Sequence, residues 1–143
     1  MFRKLKRIIF KMFRELLVFH NSSLEYRAKI LTLVVSSNGD ISECELQKLK
    51  IITNEIYQND TLRANLLYDT IQEYHIKIIT NNGLNFQHLI ELVVKESKEV
   101  KRFTKKIDIE MLSSFQECLS DEDEIIFQDR ILSFLNDLKT QYN

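Results

Sequence analysis

The chain has 143 residues, 44% of them hydrophobic and 29% charged, with a net charge of −1, two cysteines, two glycines and no proline. That length suits one domain around one substantial core, and that balance of apolar and charged residues excludes a disordered chain. No apolar run approaches the roughly 18–20 residues that cross a bilayer, and Lys11 interrupts the stretch that would serve a secretory signal. Cys44 and Cys118 form neither a disulfide framework nor a zinc-ligand spacing, so reduced thiols in a cytosol are the expectation.

With so few breakers, helix is expected nearly throughout, an all-α single-domain bundle of about seven helices. The first runs over about 2–19. On its helical wheel Leu5, Ile9, Met12, Phe13 and Leu16 lie on one side, and Arg3, Lys4, Arg7, Lys11 and Arg14 on the other. No acid precedes Glu15, so this is an electrostatically distinct arm, residues 1–21, ahead of a helical domain over 22–143. Its composition suits an anionic membrane surface or a protein partner, or docking on the bundle with the basic face solvated. Nucleic acid is not expected, because the rest of the chain is acidic and offers no second basic patch.

Ser22 with Glu25 forms a capping box opening a second helix, about 23–36, and the turn Asn38-Gly39-Asp40 follows. Ser42 with Glu45 is a second capping box, opening a helix with Leu46, Leu49, Ile52 and Ile56 on its apolar face. After the break at Asn59-Asp60-Thr61 a fourth helix runs over about 61–80, with Leu62, Leu66, Leu67, Ile71, Ile78 and Ile79 expected inward. Asn81-Asn82-Gly83 stops it. A fifth spans about 86–103 with Leu89, Leu92, Val93 and Val100, and a sixth about 108–119, the join between them left open. Residues 120–124 read as an acidic turn before a last helix, about 125–140, showing Phe127, Ile131, Leu132, Leu135 and Leu138. Helix, acidic turn, helix therefore occurs twice, a weak internal duplication.

The acidic turns are the one hint of chemistry. Asn38, Gly39, Ile41 and Glu45 fit the second half of an EF-hand loop, but the first ligand position would fall on Val34, which cannot ligate a hard cation. A site shared between the turns is the alternative. There Asp40, Glu43 and Glu45 would meet Asp121, Asp123, Glu124 or Asp129, and Ca²⁺ or another divalent cation would relieve their repulsion. The structural reading needs no ligand: Asn-Gly makes the turn, Ser42 caps the helix, and first-turn acids suit the helix dipole.

No catalytic residue stands out. There is no Gly-rich phosphate loop, and His20, His75 and His88 lack the Glu three residues earlier that di-iron bundles use. His75 reads as a satisfied core or boundary residue, Cys44 as a small structural one, and Tyr57, Tyr68, Tyr74 and Phe86 as core aromatics.

The stretch from Ala28-Lys29-Ile30-Leu31 through Ser37-Asn38-Gly39-Asp40-Ile41-Ser42-Glu43, with Glu45, Leu49 and Ile52, resembles the tellurite-resistance TerB-like family. The acidic turn at 121–124 sits where that family carries a weaker second copy, so the resemblance spans about residues 24–140. Asn38 stands where the family has Asp, and Ser37 where it has Ala. The resemblance implies a bacterial, cytoplasmic all-α module acting in stress response or membrane-associated assembly. It implies no catalytic activity, and metal binding through the acidic turns.

Overall fold

The structure, a computed structural model, describes residues 22–142. The basic helix expected over 2–19 lies outside the described residues, and so does the Ser22 side chain of the first capping box. Among the described residues there are six α-helices, two 3-10 helices and no strand: α1 (Ser22–Val35), α2 (Glu43–Ile56), α3 (Thr61–Ile79), α4 (Phe86–Glu99), a 3-10 helix (Lys101–Lys106), α5 (Ile109–Ser113), a second 3-10 helix (Ser114–Cys118) and α6 (Glu122–Tyr142). The all-α expectation holds.

Local chemistry sets where these helices begin. The side chains of Ser42, Asp60, Asn85 and Asp108 each accept the backbone N–H three residues on, which satisfies donors that a helix start leaves unpaired. Asp121 does the same work for α6, accepting from Asp123 N–H at 2.9 Å and, through its carbonyl, from Ile125 N–H at 3.1 Å. The expected last helix therefore starts earlier, and the acids read as a turn form its first turn.

α1 is the central element and packs against α3, α4 and α6. Its second half is enclosed on every side, with every residue from Ala28 to Val35 buried, Ile30, Leu31, Leu33, Val34 and Val35 among them, and Leu24 and Tyr26 are buried ahead of it. Its polar side chains are satisfied internally. Thr32 Oγ1 donates to the Ala28 carbonyl at 2.6 Å, Tyr26 pairs with Ser97 Oγ at 2.9 Å, and Lys29 Nζ donates to both Glu96 carboxylate oxygens at 2.8 and 3.0 Å. Burying these groups unpaired would cost several kcal/mol, roughly 1–3 for each neutral group and more for the charges.

The stretch expected as one helix over 86–103 ends at Glu99. Val100 leaves helical geometry at φ −129° and ψ 80°, and the tighter 3-10 turn that follows swings Phe103 and Ile107 into the core. The next 3-10 helix brings in Phe115, which is fully buried. Three residues expected inward lie exposed: Leu62 (47%), Ile79 (50%) and Phe127 (40%). Leu62 and Ile79 sit in the terminal turns of α3, and Phe127, in the second turn of α6, rests against Phe86 with ring centroids 6.3 Å apart.

Candidate functional site: the junction of the two acidic turns

The chain leaves α1 through a turn that only a residue without a side chain enters freely. Gly39 has φ +92°, and Gly39 N–H donates to the Ser36 carbonyl at 3.2 Å. The turn delivers Ser42 to the start of α2, where the expected capping box forms in full. Glu45 N–H donates to Ser42 Oγ at 3.2 Å, and Ser42 N–H and hydroxyl donate back to Glu45 Oε1 at 3.2 and 3.1 Å.

This turn meets the start of α6. Asn38 Nδ2 donates to the Glu124 carbonyl at 3.3 Å, and one helical turn along, Gln128 Nε2 donates to the Val34 carbonyl at 3.3 Å. Gln128 is fully buried, and its Oε1 has no hydrogen-bond partner among the described residues. Glu45 is buried as well, and burial pushes its carboxyl above the usual carboxylate range. The Ser42 backbone and hydroxyl bonds oppose that shift, and the charge on Glu124 adds to it. The two turns are thus close enough for their carboxylates to repel each other.

His75 joins the same end from α3. Ser36 Oγ and His75 Nδ1 are 2.8 Å apart in a buried contact. Burial holds the imidazole below its ordinary pKa, and the Asp40 carboxylate pulls the other way. Serine, histidine and aspartate are all present here. The serine and imidazole are both buried, and their contact ties the turn to α3.

A covalent tether lies beside the junction. Cys44 in the first turn of α2 and Cys118 at the end of the second 3-10 helix form a disulfide, with Cα atoms 5.7 Å apart. Lys48, one turn further on, pairs with Glu117. This corrects the expectation of reduced thiols and of Cys44 as an isolated small residue. The two cysteines are 74 residues apart in sequence, and only the packing of α2 on the helix before α6 makes them partners.

Of the acids expected to share a site, Glu124 acts on Glu45 through its charge, the smallest influence on that carboxyl. Asp40 acts on His75, Asp121 caps α6, and Asp129 accepts from the Gln116 amide. Glu43 and Asp123 are exposed in the first turns of α2 and α6. Among the described residues no group of three or more His, Cys, Asp and Glu side chains is disposed to hold a metal ion. The basic residues Arg3, Lys4, Arg7, Lys11 and Arg14 lie outside the described residues. His88 is exposed, and its Nδ1 lies 3.7 Å from the Glu91 carboxylate. Sequence reasoning missed the disulfide, the Ser36–His75 contact and Gln128. For Gln128 a signal existed, since it shares a helix face with Glu124 at the i, i+4 spacing.

No helix among the described residues is long and apolar enough to cross a membrane. No family model, no curated protein and no solved structure matches this chain.

Proposed function

We propose that the chain is a non-enzymatic binding or scaffold module of the TerB-like kind, stress-related and peripheral to a membrane, whose working surface is the end where the acidic turns meet. One observation carries the reading: the Asn38 turn bonds directly to the first turn of α6, with Cys44–Cys118 clamping the same region. A surface pre-organised in this way loses little conformational freedom on binding. Its exposed first-turn acids, Glu43 and Asp123 among them, suit a basic protein partner. The TerB-like assignment rests on the resemblance alone. A cytoplasmic location belongs to the same proposal, and the bonded cysteine pair is the observation that weighs against it.

A divalent cation is the second reading. It is favoured by the unpartnered oxygen of the buried Gln128, one turn along from Glu124, and by the charge of Glu124 acting on Glu45. Glu45 and Glu124 would supply charge, and the amide oxygens of Asn38 and Gln128 further hard ligands, as such an ion requires. Asp40, Glu43, Asp121, Asp123 and Asp129 would strengthen the local field.

Calorimetry on the chelator-treated, oxidised full chain separates the two. Saturable binding of Ca²⁺, Mg²⁺, Mn²⁺ or Zn²⁺ that Glu45→Gln/Glu124→Gln loses puts an ion at the junction, and no binding of any of the four removes that reading. A short oligolysine peptide, titrated at low salt, is expected to bind the wild type at least tenfold more tightly than Glu43→Lys/Asp123→Lys. Equal affinities would remove the acidic-surface reading.

A further inference from the structure

We propose that Arg27 of α1 and Arg102, Lys105 and Lys106 of the first 3-10 helix form an anion site that takes a phosphomonoester or diphosphate group. The stretch Lys101–Lys106 carries four cations in six residues. Its tight winding decides where they point, because three residues per turn stack side chains at i and i+3. Phe103 and Thr104 turn into the core, which leaves Lys101, Arg102 and Lys105 exposed and Lys106 half-buried. The same short helix packs against α1, α4 and α6. There Lys106 shares a narrow crevice with the half-buried Arg27, lined also by Ile30, Ile56 and Met111. The Arg27 guanidinium stands 5.3 Å from the centre of the Tyr57 ring and that of Arg102 5.4 Å from the centre of the Phe103 ring, so an aromatic face holds each head group.

Three observations select the ligand. The first is missing counter-charge. Among the described residues none of Arg27, Arg102, Lys105 and Lys106 is in an ion pair. Glu96 of α4 is taken by Lys29, and Asp108, just past the run, gives Oδ1 to the Met111 N–H at the start of α5. The second is mutual repulsion. Burial lowers the pKa of Lys106, and the charges of Arg27 and Arg102 lower it further. Cations gathered without a carboxylate are relieved by a bound anion. Phosphate suits them, because guanidinium forks bind its oxygens in pairs and ammonium groups add point charges. The third is size. Arg102 to Lys106 spans about 8 Å at 2.0 Å per residue, room for one or two phosphates. An extended polyanion such as nucleic acid would meet repulsion beyond the patch. The first 21 residues hold six Lys/Arg and one acid, so the rest of the chain holds fourteen Lys/Arg against twenty Asp/Glu. The site stands or falls separately from the acidic junction.

Calorimetric titration of sodium pyrophosphate into the oxidised full chain, at constant ionic strength, tests the site. Saturable binding is expected, weakened by about tenfold or more in Arg102→Gln/Lys105→Gln, where both altered side chains are exposed and the core is untouched. Arg27→Gln/Lys106→Gln is expected to weaken it as much. Lys50→Gln/Lys77→Gln removes the same charge from α2 and α3 and is expected to bind as wild type does. Flotation with phosphatidic acid/phosphatidylcholine vesicles distinguishes the two sources of such a group. The same loss there in Arg102→Gln/Lys105→Gln names a lipid headgroup, and vesicle binding equal to wild type names a soluble phosphorylated ligand. No saturable binding of pyrophosphate by wild type, or equal affinity in every variant, would overturn the proposal. So would binding of oligothymidylate alone, which would give the patch to nucleic acid.

Discussion

Two buried ionisable residues at the junction respond to acid in opposite directions. His75 is held below its ordinary value of 6.5, so the folded state favours the neutral ring. The unfolded chain binds the proton more readily, and the stability this contributes is present above pH 6.5 and lost as pH falls through the depressed folded value. Glu45 is raised above 4.5, so its protonated form is favoured in the fold, and stability is regained as pH falls through that raised value. The His75 effect begins as pH falls past 6.5, the ordinary value of the unfolded side chain. Thermal melts between pH 7.5 and 5.5 are expected to show a falling Tm for wild type and a flatter profile for His75→Gln. Parallel profiles would show that His75 does not govern acid sensitivity.

At the scale of single elements, the link between α1 and α2 depends on one backbone conformation. A Cβ added at Gly39 would meet nothing within 4 Å, so space does not demand glycine there, but φ +92° does. Gly39→Ala is expected to cost about 1–2 kcal/mol, the penalty of placing an ordinary residue in left-handed backbone. Gly39→Asn should cost less, because asparagine tolerates that region. Urea denaturation of the three proteins checks the order, and an alanine variant as stable as wild type would show that the turn relaxes. The same reasoning explains why the loss should stay local: the capping box that follows makes its own three hydrogen bonds between Ser42 and Glu45.

For the whole molecule, the Cys44–Cys118 bond is the constraint of longest reach. It closes a loop across 74 residues of sequence that contains α3, α4 and most of α2. Restricting an unfolded chain by a loop of that length stabilises the fold by about 4 kcal/mol in the chain-entropy account. Cys44→Ser/Cys118→Ser is expected to lose an amount of that order in urea denaturation, and wild type in reductant should match it. A midpoint indifferent to reductant would mean that the two thiols are not bonded in solution.

Helix class, most helix starts and the capping box at Ser42 were legible in the sequence, because they depend on residues within a few positions of one another. The 3-10 stretches at 101–106 and 114–118 were not, since they exist to turn Phe103, Ile107 and Phe115 into a core that the local pattern does not describe. The exposure of Leu62 and Ile79 was hidden for a related reason: periodicity gives a face but not where the neighbouring helices end. By itself the sequence determined an all-α chain with two acidic turns and a basic arm, because hydrogen bonds three or four residues apart and side-chain periodicity are local. Only the tertiary structure decided that Asn38 reaches Glu124, that Ser36 reaches His75 and that Cys44 bonds to Cys118. Those pairings join residues 39 to 86 positions apart, and packing around α1 brings them together.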